Sequence, residues 1–435
     1  MTTRRTTAAL CGLMLGLSAC QTSNPNKQAL YEAPLQQQGK ISVGDGSLSD
    51  GVDTYRLSDL APGHRPADDT TEGGLWYVMD KAERRVRTAG NRITDPALDA
   101  YAQRIACKLA REFCGDIRVY IIRVPAFNAS MAPNGMMQIW SGFLLRAENE
   151  AQFAAVVGHE IGHYLRRHSL QRFEDARAKA NAAAVFGILT AGIGFGFVGS
   201  LAQIAIYGEI FAFSRDQERE ADGYGLLLMS EAGYDPREYA VIWDRLILEI
   251  DATLDEDEEA SSRRGGFFAS HPQPEERQAT LKALGEKLAA TRDDWTIGRT
   301  SYLEQLLPHR AGFLEDELKV QRYDAILARL DMMLAQAGEP NPAELHFFRG
   351  EAYRLRREEG DREKAAEAYE TALTSAGTPP VETHRSLGLV YDALGEDARA
   401  SQAFRHYLEV RPDASDADLI REILKGLPGG PNATS

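Results

Sequence analysis

The chain has 435 residues, of which 43% are apolar and 26% charged, so it is long enough for two domains of ordinary globular composition. Its net charge of −15 argues against nucleic acid as a partner, because phosphate binding needs clustered lysine and arginine. The acidic balance does not by itself identify any other partner.

The first 19 residues are typical of a secretory signal peptide. Arg4 and Arg5 precede an apolar run, residues 8–17, which is shorter than the roughly 20 apolar residues that span a bilayer. The run leads into residues 17–20, Leu-Ser-Ala-Cys, which resemble the lipobox of bacterial lipoproteins. That resemblance implies cleavage before Cys20 and a lipid on its sulfur, whereas ordinary signal cleavage nearby is the alternative.

The lipobox also predicts a location. Gln21 and Thr22 are not the aspartate that often retains lipoproteins at the inner membrane, so the resemblance favours the outer membrane, facing the periplasm. Residues 20–70 are rich in Gln, Ser, Gly and Pro and have no sustained apolar period, which predicts a flexible tether. We therefore expect a periplasmic protein held to the outer membrane by its lipid.

A helix is predicted to begin after Asp95, with the acid as cap and a proline in the first turn. Cys107 and Cys114 follow, and the oxidising periplasm permits a bridge between them. On one continuous helix they would lie about 10 Å apart, which is too far for a bond. A disulfide therefore requires the helix to end before Cys114, and Gly115 offers a stop. Two free buried cysteines are the alternative.

Two short strands and two helices are predicted next. Residues 117–124 are rich in Ile and Val and end at a proline, which predicts a strand. Residues 128–135 predict a turn-rich loop, and residues 136–140 a second strand. Helices are predicted over residues 148–167 and, after a long uncharged run, over residues 209–229.

The first of these helices carries a metal-binding pattern. His159 and His163 are four residues apart, so both imidazoles can project from one helix face toward a single ion. Glu160 lies beside them, where a carboxylate can take a proton from water activated by the metal. On its own, the pattern also fits a solvent-facing helix.

A zinc site of this type needs a third protein ligand, and the second helix offers one. Glu218 and Asp222 share a helix face, whereas Glu220 is expected to face away. Glu218 can complete the site, and Asp222 can hold a ligand histidine through its second ring nitrogen. His168 is rejected as a ligand, because it is five residues past His163 and points elsewhere on the helix. Taken alone, the acidic segment also fits an exposed helix.

The pairing of His-Glu-x-x-His at residues 159–163 with Ser-Arg-x-x-Glu-x-x-Ala-Asp at residues 214–222 is highly specific. It resembles the gluzincin zinc metallopeptidases, the family that includes HtpX, BepA and the prenyl-protein CAAX proteases. The resemblance covers about residues 75–285 and implies one Zn²⁺ per chain. The roles that it implies are zinc ligand for His159, His163 and Glu218, general base for Glu160, and supporting acid of the catalytic site for Asp222.

The same resemblance implies a substrate-binding strand. Residues 128–135 look like the family's segment before an edge strand, with Pro-Asn-Gly in place of the usual Pro-Gly-Gly. This is a mild departure, because asparagine also tolerates positive φ. An extended peptide would then pair with the main chain of residues 136–140. The expected substrate-binding residues are Asn134, Gly135, Met137 and Ile139.

His271, in a Ser-His-Pro stretch, resembles a late motif of soluble family members. It is expected to serve catalysis as a donor to the oxyanion, or to occupy the open zinc position in a resting state. A structural histidine that caps a loop is the alternative. Residues 251–266 form an acidic and then Ser-Arg-Gly-rich stretch that predicts a mobile loop, so the loop and His271 together could gate the site.

Residues 182–208 carry no charge and are long enough to span a bilayer. Their six glycines and several polar residues make a poor hydrophobic helix. We therefore favour a pair of short helices that pack over the active site or touch the membrane surface.

The chain after residue 295 has a helical pattern with a repeat. Gly388 and Phe404 fall at the spacings of one 34-residue tetratricopeptide unit, and Gly350 occupies the matching place in an earlier unit. We predict a tetratricopeptide-like domain over residues 295–425 and a disordered tail over residues 426–435. An irregular helical domain is the alternative.

These patterns predict an α+β fold, in which a mostly helical zincin-type metalloprotease domain with a small β-sheet, residues 71–290, precedes an all-α repeat domain. The leading function is a periplasmic zinc metalloendopeptidase that degrades misfolded or misassembled envelope proteins. The repeats would position these substrates or bind outer-membrane assembly machinery. The alternative is a chaperone or assembly factor for outer-membrane proteins with a latent or structural metal site.

Overall fold

A computed structural model describes residues 60–179, 213–253, 271 and 275–427. Over these ranges the chain is mostly helical with one four-stranded mixed sheet, which confirms the predicted α+β class. The predicted signal peptide with Cys20, the tether up to residue 59, the uncharged run 182–208, most of the acidic stretch and most of the tail lie outside the described residues. Within the described ranges, no helix is long and apolar enough to cross a membrane.

The first two helices begin with side-chain caps. Helix α1, Thr71–Arg87, follows Thr70, whose side chain accepts a hydrogen bond from the N–H of Gly73. Helix α2, Pro96–Ala110, follows Asp95, whose carboxylate accepts from two main-chain N–H groups. The start of α2 agrees with the Asp-Pro signal in the sequence.

Helix α2 ends before Cys114, as the disulfide alternative requires, and this brings two cysteines together. Arg111 takes a φ of 53°, and Arg111–Asp116 form a 3-10 helix instead of a continuation of α2. The Cα atoms of Cys107 and Cys114 lie 4.4 Å apart and their sulfurs are bonded. Of the two alternatives that the sequence left open, the structure has the disulfide.

The sheet contains strands β1, Arg92–Ile93, β2, Arg118–Ile122, β3, Ala129–Met131, and β4, Met136–Trp140. Their order is β1-β2-β4-β3, with β2 and β4 parallel and the other neighbours antiparallel. The edge strands are therefore β1 and β3, and β4 lies inside the sheet.

This order corrects two predictions. Residues 128–135, expected to be only a turn-rich loop, contain strand β3. Strand β4, expected to pair with an extended peptide, already has a strand on each side, so its main chain is not free for a substrate. The cause is the tight turn before β4, in which Gly135 takes a φ of 85° and its N–H donates to the Ala132 carbonyl at 2.9 Å. The turn folds β3 back along β4.

Helix α3, Ser141–Arg146, leads into α4, Glu150–Leu165, which is the central helix of this region. Every residue of α4 is buried, and Asn149 caps it by accepting from the N–H of Gln152 at 2.8 Å. The helix ends before the predicted limit, because Arg167 takes a φ of 53°. A separate helix, α5, His168–Lys179, starts at the next residue.

Helix α6, Arg215–Glu231, packs closely against α4. A Cβ added to Gly158 of α4 would come within 3.1 Å of the Gly225 carbonyl oxygen of α6. One added to Gly162 would lie 2.8 Å from the Cβ of Tyr224. Glycine at these positions therefore permits the close approach, which brings facing side chains of the two helices within reach of one metal ion.

Helices α7, Glu238–Asp251, and α8, Glu275–Ala289, complete this region and pack on each other. The helices that follow are α9, Arg299–Val320, α10, Tyr323–Leu334, α11, Pro342–Arg356, α12, Asp361–Thr374, α13, Glu382–Leu394, α14, Asp397–Val410, and α15, Ala417–Gly426.

Two pairs among these later helices share one packing contact. A Cβ on Gly350 of α11 would meet the ring of Tyr369 on α12 at 2.5 Å, and one on Gly388 of α13 would meet the ring of Phe404 on α14 at 2.6 Å. A glycine thus faces an aromatic ring at matching places in both pairs. The tetratricopeptide assignment and the domain boundaries stay predictions.

A buried cluster of four charges joins the two regions. Arg146 of α3 binds Glu249 of α7 at 2.7 Å and Glu317 of α9 at 2.8 Å, and Arg329 of α10 binds the same two carboxylates. Burial by itself would raise the pKa of Glu249, but the two guanidinium groups lower it to about 2. The cluster therefore holds the later helices against α3 and α7 through paired charges.

Candidate metal centre

The two histidines of the metal-binding pattern lie on one face of α4, as their spacing predicts. His159 and His163 are both buried, and their Nε2 atoms are 3.1 Å apart. Burial also lowers the pKa of His163 well below its ordinary value, so its imidazole stays neutral and can act as a ligand.

Helix α6 supplies the acidic member of the group. Glu218 Oε1 lies 3.4 Å from His163 Nε2, and Glu218 Oε2 lies 3.7 Å from His159 Nε2. The close packing of α4 on α6 places this carboxylate opposite the two imidazoles. Of the two sequence alternatives, the structure therefore has a buried carboxylate that faces the two histidines rather than an exposed acidic helix.

His271 is the fourth member. Its Nδ1 lies 3.0 Å from Glu218 Oε1 and 3.3 Å from His159 Nε2. The ligand atoms of the four residues all lie within 4.8 Å of one another. Three nitrogens and one oxygen at these separations fit a tetrahedral ion with bonds of about 2 Å, for which the ligand atoms would be roughly 3.3 Å apart.

The ring nitrogens also suit a cation. His159 Nδ1 lies 3.1 Å from the Asp222 carboxylate, a contact that favours the tautomer with its proton on Nδ1 and a lone pair on Nε2. In this tautomer the lone pair faces the carboxylate of Glu218 and the Nε2 of His163. A cation between these groups would bind all three of them. The donor set is that of a zinc site.

Glu160 lies beside this group and is buried. Burial raises the pKa of its carboxyl group above the ordinary value, with Glu218 adding to the rise and His271 and His159 opposing it. The main chain of Met131, in strand β3, also opposes the rise. Its Oε1 has no hydrogen-bond partner among the described residues and lies 3.7 Å from His271 Nε2. An unpaired carboxylate oxygen at this position suits a proton acceptor.

Asp222 has the position that the sequence predicts, behind His159. Tyr239 of α7 lies there as well, with its hydroxyl 3.2 Å from His159 Nδ1 and 3.1 Å from Asp222 Oδ1. Sequence reasoning missed Tyr239. Its spacing with the apolar residues of α7 indicates only a core position, and nothing in the sequence relates that helix to α4.

His168 and Glu220 also lie nearer the site than predicted. His168 is not in the ligand group, but its Nδ1 is 2.9 Å from His163 Nδ1, and its Nε2 is 3.0 Å from Glu220 Oε2. Glu220 points away from the ligands, as expected, yet it is buried and binds Arg166 at 2.7 Å. These contacts exist because α4 ends before Arg166, so His168 does not follow the helical spacing from His163.

The predicted substrate-binding residues are not presented to a substrate. Asn134 is buried, and its amide donates to Asp80 at 2.8 Å and to Glu83 at 2.9 Å, both on α1. Gly135 forms the turn against Asp116, where a Cβ would collide with the carbonyl oxygen. Met137 and Ile139 are fully buried in the core. The reason is the interior position of β4.

Strand β3 has the free edge instead. The N–H of Ala132 donates to the Met136 carbonyl, and the N–H of Trp140 donates to the Asn128 carbonyl. Since ladder bonds alternate along an antiparallel pair, Ala129 and Met131 direct their main-chain groups away from β4. Among the described residues, β4 is the only strand paired with β3. Helix α4, which carries Glu160, packs against β3.

Comparison with known proteins agrees with this site. Residues 92–285 match the model of peptidase family M48. The chain is 31% identical over 160 residues to mitochondrial metalloendopeptidase OMA1 of Schizosaccharomyces pombe, which covers 37% of this chain and 44% of that protein. It is 28% identical over 209 residues to a putative beta-barrel assembly-enhancing protease of Vibrio cholerae. That match covers 46% of this chain and 41% of that protein.

A third relative is the beta-barrel assembly-enhancing protease of Escherichia coli K12, which is 26% identical over 221 residues, or 48% of this chain and 42% of that one. This chain therefore covers less than half the length of each of these three relatives. The matched residues include both helices that carry the ligand group, α4 and α6, and also His271.

Proposed function

We propose that this chain, whose residues 92–285 match the model of peptidase family M48, is a zinc metalloendopeptidase. The observation that carries the proposal is the ligand group of His159, His163, Glu218 and His271, with the carboxylate of Glu160 beside it. A purely structural zinc site would not need an acid with an unpaired oxygen next to it.

Zinc bound by these residues would polarise the scissile carbonyl as a Lewis acid. Glu160 takes a proton from the attacking water and later gives it to the leaving amine. Asp222 and Tyr239 hold His159 in the tautomer whose Nε2 faces the metal. Burial keeps bulk water away from these groups and strengthens their electrostatic interactions.

The free edge of β3 is the part of the sheet best placed to hold a substrate. An extended peptide paired with Ala129 and Met131 would lie next to Glu160, because helix α4, which carries Glu160, packs against β3. Main-chain pairing of this kind reads the backbone rather than the side chains, so broad sequence tolerance follows. This strand replaces β4 as the proposed substrate-binding element.

His271 has the contacts of a fourth ligand in this arrangement. A catalytic zinc site keeps one position open for water or substrate, and His271 Nδ1 lies where that position would be. We therefore infer that the structure is a resting state, and that His271 must leave before a peptide is cut. Of the two catalytic roles that the sequence left open, the distances favour this one over an oxyanion donor.

The cellular setting is also a proposal. The signal sequence and Cys20 support a lipoprotein at the outer membrane that faces the periplasm. There the substrates would be misfolded or misassembled envelope proteins. Two relatives are named for beta-barrel assembly, which supports outer-membrane assembly machinery as a partner of the later helices.

The test is zinc content and cleavage of casein by the full chain, wild type against Glu160→Gln. The variant keeps the ligands and loses the proton acceptor, so we expect an unchanged zinc content and at least a roughly 100-fold loss of cleavage. Undiminished cleavage by Glu160→Gln would refute the proposed mechanism.

A second candidate is a chaperone or assembly factor whose metal site is latent. The position of His271 in the ligand group favours it, because that arrangement leaves no open ligand position. This function predicts that Glu160→Gln restores outer-membrane assembly in a deletion strain as well as the wild type does. The endopeptidase predicts that it does not.

A further inference from the structure

His163 is supported on the side away from the metal by residues that the mechanism above does not use. We propose that His168 and Glu220 form a relay that positions His163 as a zinc ligand. The relay belongs to the site of the proposed endopeptidase. It rests on that proposal only in assuming that zinc binds to the ligand group. Zinc affinity, which tests it, is measured without a substrate.

The direction of each hydrogen bond follows from the atoms involved. His163 presents Nε2 to the ligand group, so its ring proton is on Nδ1. That N–H donates to Nδ1 of His168 at 2.9 Å, which leaves the proton of His168 on Nε2. The Nε2–H of His168 in turn donates to Glu220 Oε2 at 3.0 Å. One chain of donors thus fixes both tautomers.

The far end of the relay is also held. Glu220 Oε1 accepts from Nε of Arg166 at 2.7 Å, so the two carboxylate oxygens have one partner each from this network. His168 and Glu220 are both buried. Since burial makes an unsatisfied charge or imidazole costly, the network resists rotation of either side chain.

The fold brings these residues together in a way that helical spacing does not. On a continuous helix, His168 would lie about 140° around the axis from His163, at 100° per residue. The left-handed residue Arg167 ends α4, and His168 begins α5 on the side of His163 Nδ1. The Phe213 ring stacks on the His163 ring, with ring centroids 3.8 Å apart. The His163 ring is therefore packed as well as hydrogen-bonded.

The two ligand histidines of α4 consequently have different supports. His159 contacts a carboxylate directly, through Asp222, and a hydroxyl from Tyr239. His163 reaches its carboxylate through a second imidazole. Outer partners of this kind typically change metal affinity by about 10–100-fold when they are removed. The same range is expected for the relay.

The experiment is a chelator competition for zinc on the full chain. His168→Phe fills the space of the imidazole but cannot accept from His163, and we expect zinc to bind roughly 10–100-fold more weakly. Glu220→Gln keeps an acceptor for His168 and loses the charge, so a smaller loss is expected. His406→Phe, on the half-exposed surface of α14, is the matched control and should leave the affinity unchanged.

A second measurement separates positioning from folding. The visible spectrum of the cobalt-substituted protein reports ligand geometry, and it should change in His168→Phe and not in the control. Thermal unfolding of the zinc-free proteins tells whether the variant is folded. If His168→Phe does not fold, the zinc affinity and the cobalt spectrum of Glu220→Gln provide the test instead.

A zinc affinity within about twofold of wild type, with an unchanged cobalt spectrum, would overturn the relay. If the wild type binds zinc tightly, depends on His168 to do so and yet cuts no protein, the endopeptidase is wrong and the relay stands. The two proposals therefore fail on different measurements.

Discussion

Nε of Arg329, on α10, lies 3.0 Å from Oε2 of Glu249, on α7, and both side chains are buried. Ten residues earlier, the same helix α7 carries Tyr239, whose hydroxyl contacts His159 and Asp222. At about 1.5 Å per residue, roughly 15 Å of helix separate the two contacts. One rigid element thus touches both the metal centre and the helices of the predicted repeat domain.

Replacing Glu249 with alanine should destabilise the protein strongly. The change removes one of the two carboxylates that the buried guanidinium groups of Arg146 and Arg329 share. We therefore expect a loss of about 3–5 kcal/mol in the free energy of unfolding. Denaturant unfolding measures it. The control is Glu422→Ala, at an exposed pair with Lys425, which should cost less than about 1 kcal/mol. Equal losses in the two variants would contradict the role of the cluster.

The same carboxylate predicts a pH dependence. The pKa of Glu249 is about 2 in the folded protein and 4.5 ordinarily, so the unfolded chain binds its proton first as the pH falls. Its contribution is therefore complete above pH 4.5 and is lost between about 4.5 and about 2. Urea midpoints from about pH 5 to pH 3 should fall more steeply for the wild type than for Glu249→Gln. Parallel curves would show that Glu249 does not contribute.

Glu218→Ala should lose zinc. The substitution removes the carboxylate from the ligand group. After dialysis we expect the variant to contain no zinc and the wild type to retain one ion per chain. Asp216→Ala is the control, because Asp216 lies on the same helix with its side chain 56% exposed. Full zinc content in dialysed Glu218→Ala would exclude Glu218 as a ligand.

His271→Ala distinguishes the two roles considered for that histidine. If His271 occupies the open position at rest, its removal leaves three ligands and an open site, and casein cleavage should increase several-fold. If it instead donates to the oxyanion, cleavage should fall by about 100-fold or more. Initial rates on the full chain, with His406→Ala as control, separate these results. A decrease with normal zinc content would refute the resting-state interpretation.

Reduction of the disulfide should lower stability without removing the metal. The bond closes a loop of about eight residues, and loss of a loop of this size costs about 2–3 kcal/mol in the unfolding free energy. Denaturant midpoints with and without dithiothreitol measure the effect. A double variant, Cys107→Ser with Cys114→Ser, should not respond to the reductant. Equal midpoints for oxidised and fully reduced wild type would contradict the prediction.

Local signals in the sequence were sufficient for the helices and for the ligand group. The Asp-Pro start of α2, the four-residue spacing of His159 and His163, and the second acidic motif each depend on neighbours along one helix. Such patterns can be read without knowing the tertiary fold. The α+β class and the resemblance to a zinc metallopeptidase family followed from them.

Other features depend on contacts between distant segments. Strand β3 is only three residues long, and its pairing becomes visible once the turn at Gly135 places it beside β4. Tyr239 reaches His159 from a helix 80 residues away in sequence. The prediction that His168 points away from His163 is wrong, because one left-handed residue, Arg167, ends the helix on which the spacing was counted. Helical periodicity contains no information on any of these three contacts.

If β3 binds the substrate of the proposed endopeptidase, the shortness of this strand bears on which proteins would be cut. A three-residue edge offers its hydrogen bonds only to a chain whose own backbone groups are unoccupied, and a folded domain has already paired nearly all of its own. Such an edge distinguishes partners by their state of order more than by their amino acids. A fully folded protein would then not bind, because its main-chain groups are already paired. An incompletely folded one would bind through the main-chain groups that are still unpaired.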